Sequence, residues 1–149
     1  MHDKTIDELI QSHDTQRTLM RRLLHAQSGS DGRESLFLRL KRAVEGHRAI
    51  EDEVLHPVLA NLLGAKHPVD DEHQQLGDML EELAEMPLYS PEWMTKAEKF
   101  VERNRVHLNE EEKVLFPAIR AMRERKALAE ARAASEGMLP NVPTAESEG

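Results

Sequence analysis

The sequence predicts an all-α protein, an up-down-up-down four-helix bundle with a C-terminal helical extension and a mobile tail. Three observations predict it. Apolar residues recur at steps of three and four along four long segments, the spacing that lines one face of a helix. The breaks between those segments are short, which favours antiparallel neighbours. Aromatic residues make up only 3% of the 149 residues, so a core must rest on Leu, Val, Ile, Ala and Met rather than on the aromatic and β-branched residues that fill sheets.

The first helix follows Thr5-Ile-Asp-Glu8, which reads as a capping box with Thr5 as the cap. Its inward face is Ile6, Leu9, His13, Gln16, Met20 and Leu23, and it runs to about Gln27. Ser28 to Gly32 is loop by composition. The second helix starts near Asp31 and turns Phe37, Leu40, Val44, His47, Glu51, Val54 and Val58 inward, with Gly64 as its stop. Pro57 predicts a kink or break there. The third helix begins after His67-Pro68, carries Val69, His73, Leu76, Leu80 and Leu83, and ends before Pro87. Ser90-Pro91 starts the fourth, with Ser as cap and Pro in the first turn. Its face is Ala97, Phe100, Asn104, His107, Glu111, Val114 and Ala118, with a second kink at Pro117. This organisation places a bundle at residues 1–120, a helical extension at 121–136 and a disordered tail at 137–149.

Composition removes several classes of function. A net charge of -8 disfavours a phosphate-backbone partner. With no cysteine there is no disulfide, thiolate zinc site or Cys-ligated cluster. No signal-peptide core and no membrane-length apolar run is present, so a cytoplasmic location is expected. There is no P-loop, GxGxxG, GxSxG or HExxH.

Six residues on the inward faces do not belong in an apolar core: His13, His47, Glu51, His73, His107 and Glu111. His13 and His73 are 60 residues apart, and so are His47 and His107, and Glu51 and Glu111. The segments His47-Arg-Ala-Ile-Glu51 and His107-Leu-Asn-Glu-Glu111 are each followed by Val-Leu-x-Pro. Residues i and i+4 lie one helical turn apart on the same face, so each HxxxE pair aims an imidazole and a carboxylate at one interior point. Two related copies provide four imidazoles and two carboxylates, enough for two metals sharing carboxylate oxygens. Buried carboxylates without partners cost several kcal/mol each, roughly, and a pair of cations compensates them. This donor set suits iron, manganese or zinc.

Other candidates are weaker. Glu53-Val-Leu-His56 is an ExxH string of ferritin-like type, but only one copy exists, and His56 falls off the ligand face. His2, His25 and His67 are expected at the bundle end or in solvent. Met20, Met79, Met86 and Met94 read as core filler. Tyr89 and Trp93 are expected to pack the start of helix 4. The basic run Arg120, Arg123, Arg125 and Lys126 reads as a solvated face.

The pattern H…HxxxE…H…HxxxE with its Val-Leu-x-Pro followers resembles the hemerythrin family, in its HHE cation-binding branch, over roughly residues 5–120. The resemblance implies a non-haem di-iron centre with an oxo or hydroxo bridge, held by His13, His47, His73 and His107 and bridged by Glu51 and Glu111. Oxygen-carrying hemerythrins have a fifth His one turn after the third-helix ligand, and Gly77 stands there instead. That implies a more symmetric site, open at both metals, and chemistry with hydrogen peroxide (catalase- or peroxidase-like), nitric oxide or oxygen. The alternative it leaves is an oxygen- or iron-binding storage or sensor module. Small molecules, rather than nucleic acid or membrane, are the implied partners.

Overall fold

The computed structural model describes residues 4–26, 31–55, 57 and 68–138. Helices α1 (Lys4–His25), α2 (Asp31–Ile50), α3 (Pro68–Glu85) and α4 (Pro91–Glu110) form the bundle, and α5 (Phe116–Met138) extends it. In the ring of four, α1 neighbours α2 and α4, and α3 neighbours α2 and α4. No strand occurs among the described residues, and no helix there is long and apolar enough to cross a membrane.

The inward faces carry the expected residues. Ile6, Leu9, Met20 and Leu23 of α1, Phe37 and Leu40 of α2, Leu76, Leu80 and Leu83 of α3, and Ala97 and Phe100 of α4 are all buried. They fall into two apolar clusters. The larger contains Met20, Leu23, Phe37, Leu80, Trp93 and Phe100, and the smaller contains Ile6, Leu9, Leu55, Phe116 and Ile119. The six polar residues singled out above are buried between these clusters. The metal-ligand types thus sit in a layer with apolar packing on both sides, where water cannot easily satisfy them.

Two five-residue π-helical turns interrupt the helices, Glu51–Leu55 after α2 and Glu111–Leu115 between α4 and α5. Each begins at the glutamate of an HxxxE segment and lies just before Pro57 or Pro117. A proline ring clashes with the carbonyl four residues back, and a wider turn relieves that clash. In the second turn the Phe116 N–H donates to the Glu111 carbonyl, a step of five residues. This is the form the expected kinks take.

The extra residue corrects the face expected for the end of helix 4. A π turn rotates everything after it by about 100° relative to an α-helix. Val114 and Ala118 are therefore exposed, and Phe116 and Ile119 are buried in their place.

Smaller corrections concern the ends. Helix α1 begins at Lys4, so Thr5 lies inside the first turn rather than capping it. Gly32 belongs to the first turn of α2 rather than to the loop before it. Ser90 does occupy the N-cap of α4 with Pro91 after it, but its hydroxyl donates to the Pro87 carbonyl (2.9 Å) instead of capping. Trp93 is fully buried, with its Nε1–H donating to the Leu83 carbonyl at 2.9 Å, whereas Tyr89 is half exposed and packs little. Arg33 is a buried cation that the periodicity did not reveal. Its guanidinium sits 5.6 Å above the Trp93 ring and donates to the carbonyls of Leu88 and Ala26. His25 is exposed and Met20 is core, as expected. The readings made for His2, His56, His67, Val58, Gly64 and the tail from 139 lie outside the described residues.

Candidate metal centre

The structure brings the six predicted residues together. His13 comes from α1, His47 from α2, His73 from α3 and His107 from α4, and each presents Nε2 to the centre of the bundle. Glu51 and Glu111, the first residues of the two π turns, lie between them. Glu51 Oε2 is 3.1 Å from His47 Nε2, and its Oε1 is 3.0 Å from His73 Nε2. Glu111 Oε1 is 3.0 Å from His13 Nε2 and 3.7 Å from His47 Nε2. Its Oε2 is 3.1 Å from His107 Nε2 and 3.6 Å from His73 Nε2.

These atoms divide into two groups, His13, His47, Glu51 and Glu111 in one, and Glu51, His73, His107 and Glu111 in the other. Within each group the ligand atoms lie within 4.8 Å of one another. Each carboxylate gives one oxygen to each group. A pair of cations bridged by two carboxylates, each with two imidazoles, is the arrangement such a donor set fits.

Hydrogen bonding supports the fit. Both oxygens of Glu51 and Oε2 of Glu111 are buried without a hydrogen-bond partner, although imidazole nitrogens approach them. His13 Nε2 and His47 Nε2 face each other at 3.0 Å. Buried polar atoms are rarely left in this state. A cation between them would satisfy the nitrogens and the oxygens together.

The outer ring nitrogens have partners that the sequence reading did not find. His13 Nδ1 lies 2.6 Å from Glu112 Oε2, and His47 Nδ1 lies 2.9 Å from the Ser12 hydroxyl. His73 Nδ1 is 3.5 Å from Asp52 and His107 Nδ1 is 3.7 Å from Glu72. The partners of His13 and His47 fix the tautomer that leaves Nε2 free to bind a metal, whereas His73 Nδ1 makes no hydrogen bond and His107 Nδ1 only faces a carboxylate. An arginine stands behind each acid: Arg17 beside Glu112 (2.9 Å), Arg48 beside Asp52 (3.7 Å) and Arg103 beside Glu72 (3.9 Å). A sequence signal existed, because Ser12 and Glu72, and Asp52 and Glu112, are again 60 residues apart.

Charge follows this geometry. Burial opposes the charged form of His47 and His73, but the facing carboxylates of Glu111 and Glu51 outweigh it, raising them to about 9 and about 10. Burial likewise opposes the Glu111 carboxylate, yet the four imidazoles, His107 first, hold it far below the usual range. Glu112 is lowered too, with Arg17 and His13 outweighing its burial.

A pH dependence follows for the metal-free protein. Both imidazole pKa values lie above the 6.5 of a free histidine, so their stabilising contribution is fully present below that pH. It is lost as pH rises through about 9 and about 10. Chelator-treated protein is expected to lose stability between pH 8 and 10 in urea melts, while metal binding gains strength over the same interval because fewer protons must leave. Metal-free stability that increased across that interval would contradict this.

The expected symmetry holds for the ligands but not for their surroundings. The place of the fifth histidine is filled by Arg48. A Cβ at Gly77 would meet Arg48 Nη1 at 2.9 Å, and that guanidinium donates to the His73 carbonyl at 3.1 Å. A side chain at position 77 would have to displace the end of this guanidinium. The inner pair His13 and His47 is held at hydrogen-bond distance, whereas the partners of His73 and His107 stand farther off.

Comparison with known proteins agrees. The hemerythrin HHE cation-binding domain family matches residues 4–119. The chain belongs to this family. Among solved structures, it is similar to a hemerythrin HHE cation-binding-domain-containing protein from Mycobacterium kansasii, with 27% identity and a TM-score of 0.69. That match covers 79% of this chain and 72% of the other. No curated protein sequence matches. Membership of the HHE family accounts for the buried His and Glu residues as a cation site.

The outer shell gives a prediction of its own. Glu112→Gln keeps the shape of the side chain but removes the charge facing His13. Loss of such a partner costs about 10–100-fold in metal affinity. Competition with a coloured chelator measures it, and an unchanged affinity would show that Glu112 does not orient His13.

Proposed function

We propose that this HHE protein holds two iron ions through His13, His47, Glu51, His73, His107 and Glu111, and that it consumes small oxidants, hydrogen peroxide first among them. The observation that carries the reading is the division of each carboxylate between two imidazole pairs. Manganese or zinc fits the same donors, but only a redox metal supports turnover.

Disproportionation of peroxide takes two molecules to two waters and one dioxygen, so two electrons pass from one molecule to the other. A pair of iron ions supplies a two-electron store when bound. The chain supplies the rest. Glu51 and Glu111 hold the two positions at fixed separation. His13 and His47, with Nδ1 bonded to Glu112 and Ser12, keep Nε2 directed inward, and the carboxylates of Asp52 and Glu72 stand near the outer nitrogens of His73 and His107. The flanking apolar clusters exclude water and limit access to small molecules. No separate protein acid or base is assigned. With this chemistry the partners are small molecules such as hydrogen peroxide, nitric oxide or oxygen, and a cytoplasmic setting suits it.

The test is oxygen release from hydrogen peroxide by iron-loaded protein, compared with His47→Ala. Rapid release that falls at least about a hundredfold in the variant is expected for loss of a ligand. A second reading, storage or sensing without turnover, would be favoured by a stable and reversible oxygen adduct with no peroxide consumption.

A further inference from the structure

A small cavity of about 30 Å³ adjoins the candidate metal layer on the side of the larger apolar cluster. It has room for two or three water-sized molecules, at roughly 10–15 Å³ each. His47, His73 and His107 form its floor, and Gln16 and Asn104 lie opposite Val44 and Leu76 in its walls.

The walls break the twofold repeat. Gln16 corresponds to Leu76, and Asn104 to Val44, each at the same 60-residue offset as the ligands. One side of the bundle, α1 with α4, therefore places a pair of amides over the imidazoles where the opposite side, α2 with α3, places a pair of apolar side chains. Gln16 and Asn104 are each only 1% exposed. The Asn104 amide donates to Gln16 Oε1 at 3.0 Å and touches Met20 Sδ at 3.4 Å. This contact fixes the Gln16 side chain and leaves its Nε2–H₂ buried without a hydrogen-bond partner. A buried amide donor without a partner is costly, and such a group needs a reason.

We infer that Gln16 is the hydrogen-bond donor to the exogenous ligand, a small acceptor of two or three heavy atoms such as hydroperoxide or azide, and that Asn104 positions it. The inference rests on the two-metal reading above. The ligand takes its place in the cavity over the imidazole floor, with its far end on the Gln16 amide and its flank against Val44 and Leu76. An acceptor carrying negative charge gains most, because hydrogen bonds to charged groups are the stronger ones. A neutral molecule that accepts weakly gains little. Gln16 thereby selects anionic oxidants over neutral gases.

Azide is the probe. Iron(III)-loaded protein is titrated with azide and followed by visible absorption, with iron content measured on the same samples. Gln16→Leu and Gln16→Met keep the volume and remove the donor. Both are expected to retain iron and to bind azide at least about tenfold more weakly. Retained iron with unchanged azide affinity overturns the assignment of Gln16 and leaves the two-metal reading standing. Absence of iron from the wild-type protein overturns both. The wild-type protein alone gives a second answer, should the variants fail to fold. The stretching band of bound azide is expected to shift between H₂O and D₂O, and no shift overturns the inference.

Discussion

Replacing Glu111 with alanine is expected to empty both metal positions together. Glu111 is the one carboxylate near all four imidazoles, at 3.0 and 3.7 Å through Oε1 and at 3.1 and 3.6 Å through Oε2. Removing it takes one oxygen from each group of ligands. Because even outer partners are worth about 10–100-fold in affinity, loss of a shared ligand is expected to lower retained metal by at least about tenfold. His13→Ala should behave differently, since the group of His73, His107, Glu51 and Glu111 keeps every member. Elemental analysis of the two variants beside the wild type measures the contrast. The metal-free Glu111→Ala protein should also be less stable by ~3–5 kcal/mol, because buried imidazolium groups lose their counter-charge. Equal metal loss in both variants would contradict the bridging role.

Trp93→Ala is expected to produce the largest loss of stability away from the site. The ring is fully buried in the larger cluster, meets Phe37 edge-on at 5.3 Å between centroids, and lies under Arg33. Truncation leaves a cavity and removes the stacked partner of a buried cation. Large aromatic truncations in cores cost ~3–5 kcal/mol, which lowers Tm by about 10–20 °C in a chain of this size. A thermal melt followed by circular dichroism checks it. Folded at low temperature, the variant should still bind its metal, because Trp93 packs the opposite end of the larger cluster from the ligand layer. A Tm change of only a few degrees would show that this cluster does not dominate the core.

The six metal-ligand candidates were legible because each lies on a straight helical face, where steps of three and four report burial directly. The bundle followed from the same periodicity. What periodicity could not report was a change of register. The π turn after Glu111 exchanges Val114 and Ala118 for Phe116 and Ile119, although Pro117 announced some disturbance. The outer partners Ser12, Asp52, Glu72 and Glu112 were visible in the 60-residue offset, yet polar residues beside buried ones read first as solvated. The roles of Arg48 and Gln16 were not legible at all. Arg48 reaches across to Gly77 on another helix, and the free amide of Gln16 depends on how Asn104 meets it from a third. Such contacts arise from packing between helices, which a pattern along one chain does not contain.

The most direct test of the central claim is the number of metal ions bound per chain. Purified protein, stripped with chelator and titrated anaerobically with ferrous iron, is analysed for iron after removal of the excess. Two ions per chain are expected, one for each group of ligands. Saturation at a single ion, or none in well-folded protein, would contradict a carboxylate-bridged pair and leave the buried oxygens of Glu51 and Glu111 without the cations that the arrangement requires.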